Sequence, residues 1–308
     1  MIRTLFANLA RGLLAIILTV TFVFVILRVA GDPMTMILPL EASPEQIEAT
    51  RIEWGLDQPL HVQYGNYVAK LLQGDFGRSN ADGRPALAVV MEKAPATMLL
   101  MLTGMSLALV LGISMGILAA FFRGGIVDRA VMGGAVLVHA MPGFLLCIFA
   151  VLLFAVQLGW LPSGGGSSPL HLIMPSLVIG LSAAGVIARF VRSSALEVLG
   201  QNYIRVASIK PLPRWYLFAF HVMPNASLPL LTLVGFLLGG MIGGAAIVES
   251  VFAWPGIGRF LVTAVTKRDL ATVQAIVILV SVTMVTANLL ADILYTVVDP
   301  RLRNRREA

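Results

Sequence analysis

The sequence predicts an all-α polytopic membrane protein with six transmembrane helices and both termini in the cytoplasm. Of its 308 residues, 58% are hydrophobic and only 12% are charged; an average soluble domain carries about 25% charged residues. Mean hydropathy is +0.88. The charges are clustered, which leaves long stretches with none at all, and the basic residues gather in alternate loops. These observations exclude a soluble enzyme and equally a disordered or fibrous chain.

The spans follow in order, because a bilayer core needs about 20 apolar helical residues. Arg11 and Arg28 bracket an uncharged run and both can snorkel, so the first span lies near 9–30. No small-residue cleavage site follows it, and it reads as a retained anchor. Ala94 to Phe122 is uncharged and makes the second span. Ala130 to Ala188 is too long for one helix, and the Gly159–Gly166 stretch divides it into spans near 130–157 and 171–190. Trp215 to Val248 holds the fifth span and Leu270 to Ala291 the sixth. Pro142-Gly143 should kink the third span and Pro175 the fourth.

Basic residues set the orientation. With the N-terminus inside, the cytoplasmic side holds Arg3, Arg11, Arg123, Arg129, Arg189, Arg192, Arg205, Lys210, Arg214 and four arginines of the tail. The short external segments carry only Arg259, Lys267 and Arg268. The formal net charge of +6 is therefore read as cytoplasmic loops at a membrane and not as a nucleic-acid surface. Cys147 is the only cysteine, so no intrachain disulfide forms.

The organisation that results is an N-terminal transmembrane helix (1–30), an external segment (31–94), a core of five helices (95–298) and a cytoplasmic tail (299–308). In the external segment, Ser43-Pro44-Glu45-Gln46 reads as a capping box with proline at the first helical position, and Gly55 supplies a stop after Trp54. Leu60, Tyr64, Tyr67, Val68 and Leu71 fall on one face of a second short helix. That face either lies on the bilayer or its own spans, or docks an external partner.

The cytoplasmic loop 191–224 is basic, semi-polar and too long for a turn. Gln201-Asn202 can cap a short helix from Tyr203, and Pro211-Leu212-Pro213 must end it. The helix is expected to present Tyr203, Ile204 and Ala207 on one side. Joined rigidly to two spans, it would act as a lever: a push on it moves the bundle.

At these residues the chain resembles the permeases of binding-protein-dependent ABC importers. Val206-Ala207, Pro211, His221 and Met223-Pro224 fall at the spacing of their coupling loop, E-A-A-x3-G-x9-I-x-L-P. Gly31-Asp32-Pro33, Gly55-Leu56-Asp57-Gln58-Pro59-Leu60, Gly74-Asp75-Phe76-Gly77-Arg78-Ser79 and Leu158-Gly159-Trp160-Leu161-Pro162 are similar to the dipeptide/oligopeptide/nickel branch. So are Glu197 to Gln201, Glu249-Ser250-Val251-Phe252-Ala253-Trp254-Pro255-Gly256-Ile257-Gly258-Arg259 and the closing Asp299-Pro300-Arg301.

The resemblance implies the type I ABC importer permease fold, with the loop helix docking in a cytoplasmic ATPase through Tyr203, Ile204, Arg205, Ala207 and Lys210. It implies a second homologous permease subunit, two ATPase subunits and an extracytoplasmic solute-binding protein as partners, in the inner membrane of a bacterium. It places Glu249 and Trp254 near the outer gate, and Gly240 and Gly244 of span five near the pathway. Dipeptides, oligopeptides, glutathione, nickel complexes, opine-like compounds and sugars are the substrates of the branch. Pro211 stands where the motif has glycine; proline has φ fixed near −65° and no N–H, so the turn must be built differently.

No G-x-x-x-x-G-K-[ST] phosphate loop occurs, so ATP and Mg are expected on partner subunits and no cofactor in this chain. The rival reading is an ion-gradient-driven secondary transporter, for which Asp292 beside Asn288, together with Glu249, would be the membrane carboxylates. An intramembrane enzyme finds no support: His61, His139, His171 and His221 share no ligand spacing, and Ser163 and Ser167 have no base nearby in sequence. Gly239-Gly240, Gly243-Gly244 and Ala245-Ala246, with Gly112 and Gly116, are expected to let helices approach closely.

Overall fold

A computed structural model describes residues 2–29, 43–53, 57–209, 211, 213–226 and 228–298. The described residues are almost entirely helical, and the only bridge among them outside helices pairs Arg78 with Pro85. In chain order the helices are α1 (Ile2–Val29), α2 (Pro44–Glu53), α3 (Leu60–Leu72), α4 (Ala86–Phe121), α5 (Ile126–Ala140) and α6 (Gly143–Ala150), which runs on as a π-helix over Val151–Gln157. Then come α7 (Leu170–Leu199), α8 (Asn202–Ile209), α9 (Arg214–Leu217), a second π-helix (Phe218–Val222), α10 (Met223–Ala226), α11 (Leu228–Val251), α12 (Ile257–Thr266) and α13 (Leu270–Val298).

Asn8–Ile26, α4, α7 and Leu270–Leu290 are each long and apolar enough to cross a membrane. The predicted third span is not one kinked helix. It is two, α5 and α6, bent by 104°. Met141 precedes a proline and takes an extended conformation (φ −80°, ψ 130°), as does Pro142 (ψ 136°), so the helix stops and restarts in a new direction. The second span begins earlier than its uncharged run: α4 has 36 residues and runs through the 94/95 boundary. At 1.5 Å per residue it is about 54 Å long, well beyond a hydrocarbon core of about 30 Å. That length carries its first turns, with the Arg84–Glu92 ion pair, outside the apolar stretch.

The chain divides into two compact units, one built on 96–259 and the C-terminal part of α13, the other on 6–95 and 260–286. In the second unit α3 lies on α1. The Tyr64 and Thr21 hydroxyls are 2.8 Å apart, and the Phe24 ring meets Tyr64 at 5.2 Å and Tyr67 at 5.4 Å. The apolar face of α3 thus covers its own span, while Leu60 stays exposed. The capping box forms as its sequence predicts: the Ser43 amide donates to Gln46 Oε1 at 3.1 Å, and the Gln46 amide to Ser43 Oγ at 3.3 Å. Gly31-Asp32-Pro33, the Gly55 stop, Lys210 and the tail lie outside the described residues.

In the first unit α4 and α7 approach closely along small residues. A Cβ at Gly112 would run into Ile187, and one at Gly116 into Val191. Leu230 of α11 joins Met105, Ala108, Ala183, Ile187 and Val191 in the resulting core. Three glycines of α11 are different. A Cβ at Gly240, Gly243 or Gly244 would meet nothing within 4 Å, so within this chain they bring no helices together.

Candidate coupling site and the junction at the far end of α11

The loop between α7 and α11 builds a compact knuckle. Gln201 turns the chain out of α7, and its carbonyl accepts the amides of Ile204 and Arg205 as α8 starts. Ile204 is 3% exposed and joins Ala120, Ala195, Phe218, Val222 and Ala226 in one apolar cluster. Ala207 is also buried. The Phe121 and Phe218 rings meet edge-on at 5.6 Å.

The outward face of α8 is therefore Tyr203, Arg205, Val206 and Ile209, with Ile209 84% exposed. The structure corrects the expectation that Tyr203, Ile204 and Ala207 share one presented side. Residues 204 and 207 are one helical turn apart and both are buried; Ile204 anchors the helix to α4, α7 and the second π-helix. Sequence gave no direction here because both faces of α8 carry apolar residues. Pro211 is exposed.

An ion pair braces the same end of the unit. Arg192 Nε donates to Asp128 Oδ1 at 2.6 Å and Nη2 to Oδ2 at 2.8 Å, while the Gly124 amide caps Oδ2 at 2.9 Å. The fork joins the first turn of α5 to the last turns of α7. Sequence reasoning read Arg192 only as a loop charge. The available signal was Asp128 beside Arg129, an acid in a loop otherwise rich in arginine.

Glu249 and Trp254 meet at the opposite end of α11. Glu249 is fully buried; it accepts from Thr97 Oγ1 at 2.6 Å and from the Arg259 amide at 3.0 Å. Thr97 Oγ1 in turn accepts the Ile257 amide at 2.8 Å. The Trp254 indole donates to the Ala96 carbonyl at 2.9 Å. Between α11 and α12 the chain bends at Ala253, whose φ of 51° is left-handed. Glu249 and Trp254 thus belong to one cluster, whereas Gly240 and Gly244 lie on an exposed face away from it. Thr97, which sequence reasoning missed, is the centre of the cluster and carries no motif signal.

Long helices apolar enough to cross a membrane, with a short helix held on a knuckle between the fourth and fifth of the expected spans, define a polytopic membrane protein. The chain belongs to the family of binding-protein-dependent transport system inner membrane components, which residues 112–304 match; residues 1–101 match that system's N-terminal membrane component.

Relatives include the glutathione transport system permease protein GsiC of Salmonella choleraesuis (strain SC-B67), 40% identical over 290 residues that cover 94% of each chain. Those of Shigella flexneri serotype 5b and Escherichia coli (strain K12) are 39% and 38% identical with the same coverage. Among solved structures, inward-facing conformations of the MetNI methionine ABC transporter match with a TM-score of 0.56 at 20% identity, over 70% of this chain and 98% of the other. An amino acid ABC transporter with histidines matches at 0.52 and 14% identity, over 70% and 94%. Both share the fold. The chain is an ABC importer permease of the bacterial inner membrane and not a secondary transporter.

Proposed function

We propose that this permease forms half of a translocation pathway for glutathione or a comparably small peptide. Its identity to the glutathione permeases across 94% of both chains carries the reading. A second homologous permease completes the pathway, two ATPase subunits bind ATP and Mg and hydrolyse the nucleotide, and a solute-binding protein delivers substrate outside. This chain contributes conduction and mechanical coupling and no catalytic residue. Six spans place both termini in the cytoplasm and divide the chain into an anchor (1–30), an external segment (31–94), a permease core (95–298) and a tail (299–308).

In this reading α8 is the coupling helix. It touches the ATPase through Tyr203, Arg205, Val206 and Ile209, with Lys210 and Pro211 closing the segment, while Ile204 and Ala207 fasten it to the permease. The exposed apolar residues Val206 and Ile209 support this. A tagged purification in gentle detergent tests it. An ATPase should accompany the wild type, and proteoliposomes given the binding protein should take up glutathione with ATP. If no ATPase co-purifies, the coupling assignment fails; if uptake is ATP-driven but glutathione does not compete, only the substrate assignment fails.

A further inference from the structure

The cluster at Glu249 is built as a lock across the α11–α12 bend. Glu249 lies before the bend, and the Arg259 amide that it accepts lies after it. Thr97, on α4, binds both sides at once: its one hydroxyl donates to Glu249 and accepts from Ile257. The surroundings leave no slack. A Cβ at Gly256 would overlap the Glu249 carboxylate, one at Gly258 the Ala246 backbone, and one at Gly164 the Phe252 carbonyl. The Gly165 amide donates to that same carbonyl at 2.8 Å.

Burying a carboxylate and a hydroxyl costs more than filling the same space with apolar side chains, and polar groups so placed specify one arrangement against others. The lock sits at the end of α11 opposite the knuckle that carries α8. Any movement of that end must carry α4, the bend and the first residues of α12 together, or break every bond in the cluster.

We propose that Thr97 and Glu249 are positioning residues of the transport cycle: they hold Gly256–Arg259 in register with α4, so that ATP turnover waits for the loaded binding protein. The proposal rests on the importer reading given above. With the lock broken, the resting arrangement loses its advantage over the turnover-competent one, and ATP is hydrolysed without substrate.

The test uses the complete importer in lipid nanodiscs, with ATP hydrolysis measured with and without the loaded binding protein, alongside uptake in proteoliposomes. Thr97→Val keeps the shape but removes both hydroxyl bonds; it should assemble, and stimulation by the binding protein should fall about tenfold, because the basal rate rises. Thr97→Ser keeps the hydroxyl and should restore stimulation. A Thr97→Val importer with wild-type stimulation overturns the proposal. If Thr97→Val does not assemble, Glu249→Gln is read in the same way, and failure of both to assemble reduces the cluster to a structural role and overturns it. A wild-type complex without ATP-driven uptake overturns the importer reading, and the proposal with it.

Discussion

Asp128 and Arg192 stand 64 positions apart and close a two-pronged ion pair, Nε to Oδ1 at 2.6 Å and Nη2 to Oδ2 at 2.8 Å. The carboxylate is nearly buried and the guanidinium partly exposed. Removing one partner of a buried pair costs about 3 kcal/mol when the other is left without compensation. Asp128→Asn should therefore lower the melting temperature of the purified permease. Arg192→Lys should do so as well, since an ammonium cannot reproduce the fork. Equal melting of Arg192→Lys and wild type would show that only the charge counts.

The two faces of α8 separate fold from coupling. Ile204→Ala opens a void in the cluster with Phe218 and Val222 and should destabilise by about 2–4 kcal/mol, read by thermal unfolding in detergent. Val206→Arg alters only exposed surface; it should leave unfolding unchanged and lose the co-purifying ATPase. The reverse pattern would place the coupling face on the wrong side of the helix.

Pro211→Gly should be tolerated. Pro211 is exposed, and glycine can adopt the fixed φ of proline at an entropic cost of about 1 kcal/mol. ATP-driven uptake close to wild type is expected; loss of uptake in an assembled complex would give the proline ring a specific part.

Ser79 and Asp269 tie residues 74–85 to the turn before α13. Ser79 Oγ donates to Asp269 Oδ2 at 2.5 Å, and Thr272 Oγ1 donates to the same oxygen at 2.8 Å. Burial pushes the Asp269 carboxyl up. The bonds from Ser79, Thr272 and the Asn80 amide outweigh it and hold the carboxyl below its ordinary value. A lowered carboxyl contributes stability that is present above its free value, about pH 4. That contribution is lost as pH falls through the lowered one. Limited proteolysis of residues 79–85 should accelerate on acidification, and Ser79→Ala should be cleaved faster already at neutral pH. Cleavage independent of pH would deny the tie.

Gly112 and Gly116 should behave unlike Gly243 and Gly244. Gly116→Val forces side-chain atoms into Val191 and the Ala188 carbonyl and should cost about 1–3 kcal/mol of stability or prevent insertion. Gly243→Ala meets open space in this chain and should leave its unfolding unchanged. If Gly243→Ala impaired only the assembled importer, the contact made by that exposed face would be with another subunit.

The sequence alone determined the class and the local punctuation. Bilayer thickness sets the length of an apolar run, proline and glycine fix backbone dihedrals, and the Ser43–Gln46 box closes within four residues; none of these depends on distant neighbours. Even the break at Pro142 was marked, although its 104° bend was not. Tertiary structure decided which way α8 and the membrane helices face. In so apolar a chain amphipathic pattern gives almost no direction, so burial of Ile204 and Ala207, and the open face at Gly243 and Gly244, depend on what each helix meets. The pairings Asp128–Arg192, Thr97–Glu249 and Ser79–Asp269 span 64, 152 and 190 positions. A buried polar group is held by whichever partner the fold brings within 3 Å, and that is a property of the packed helices.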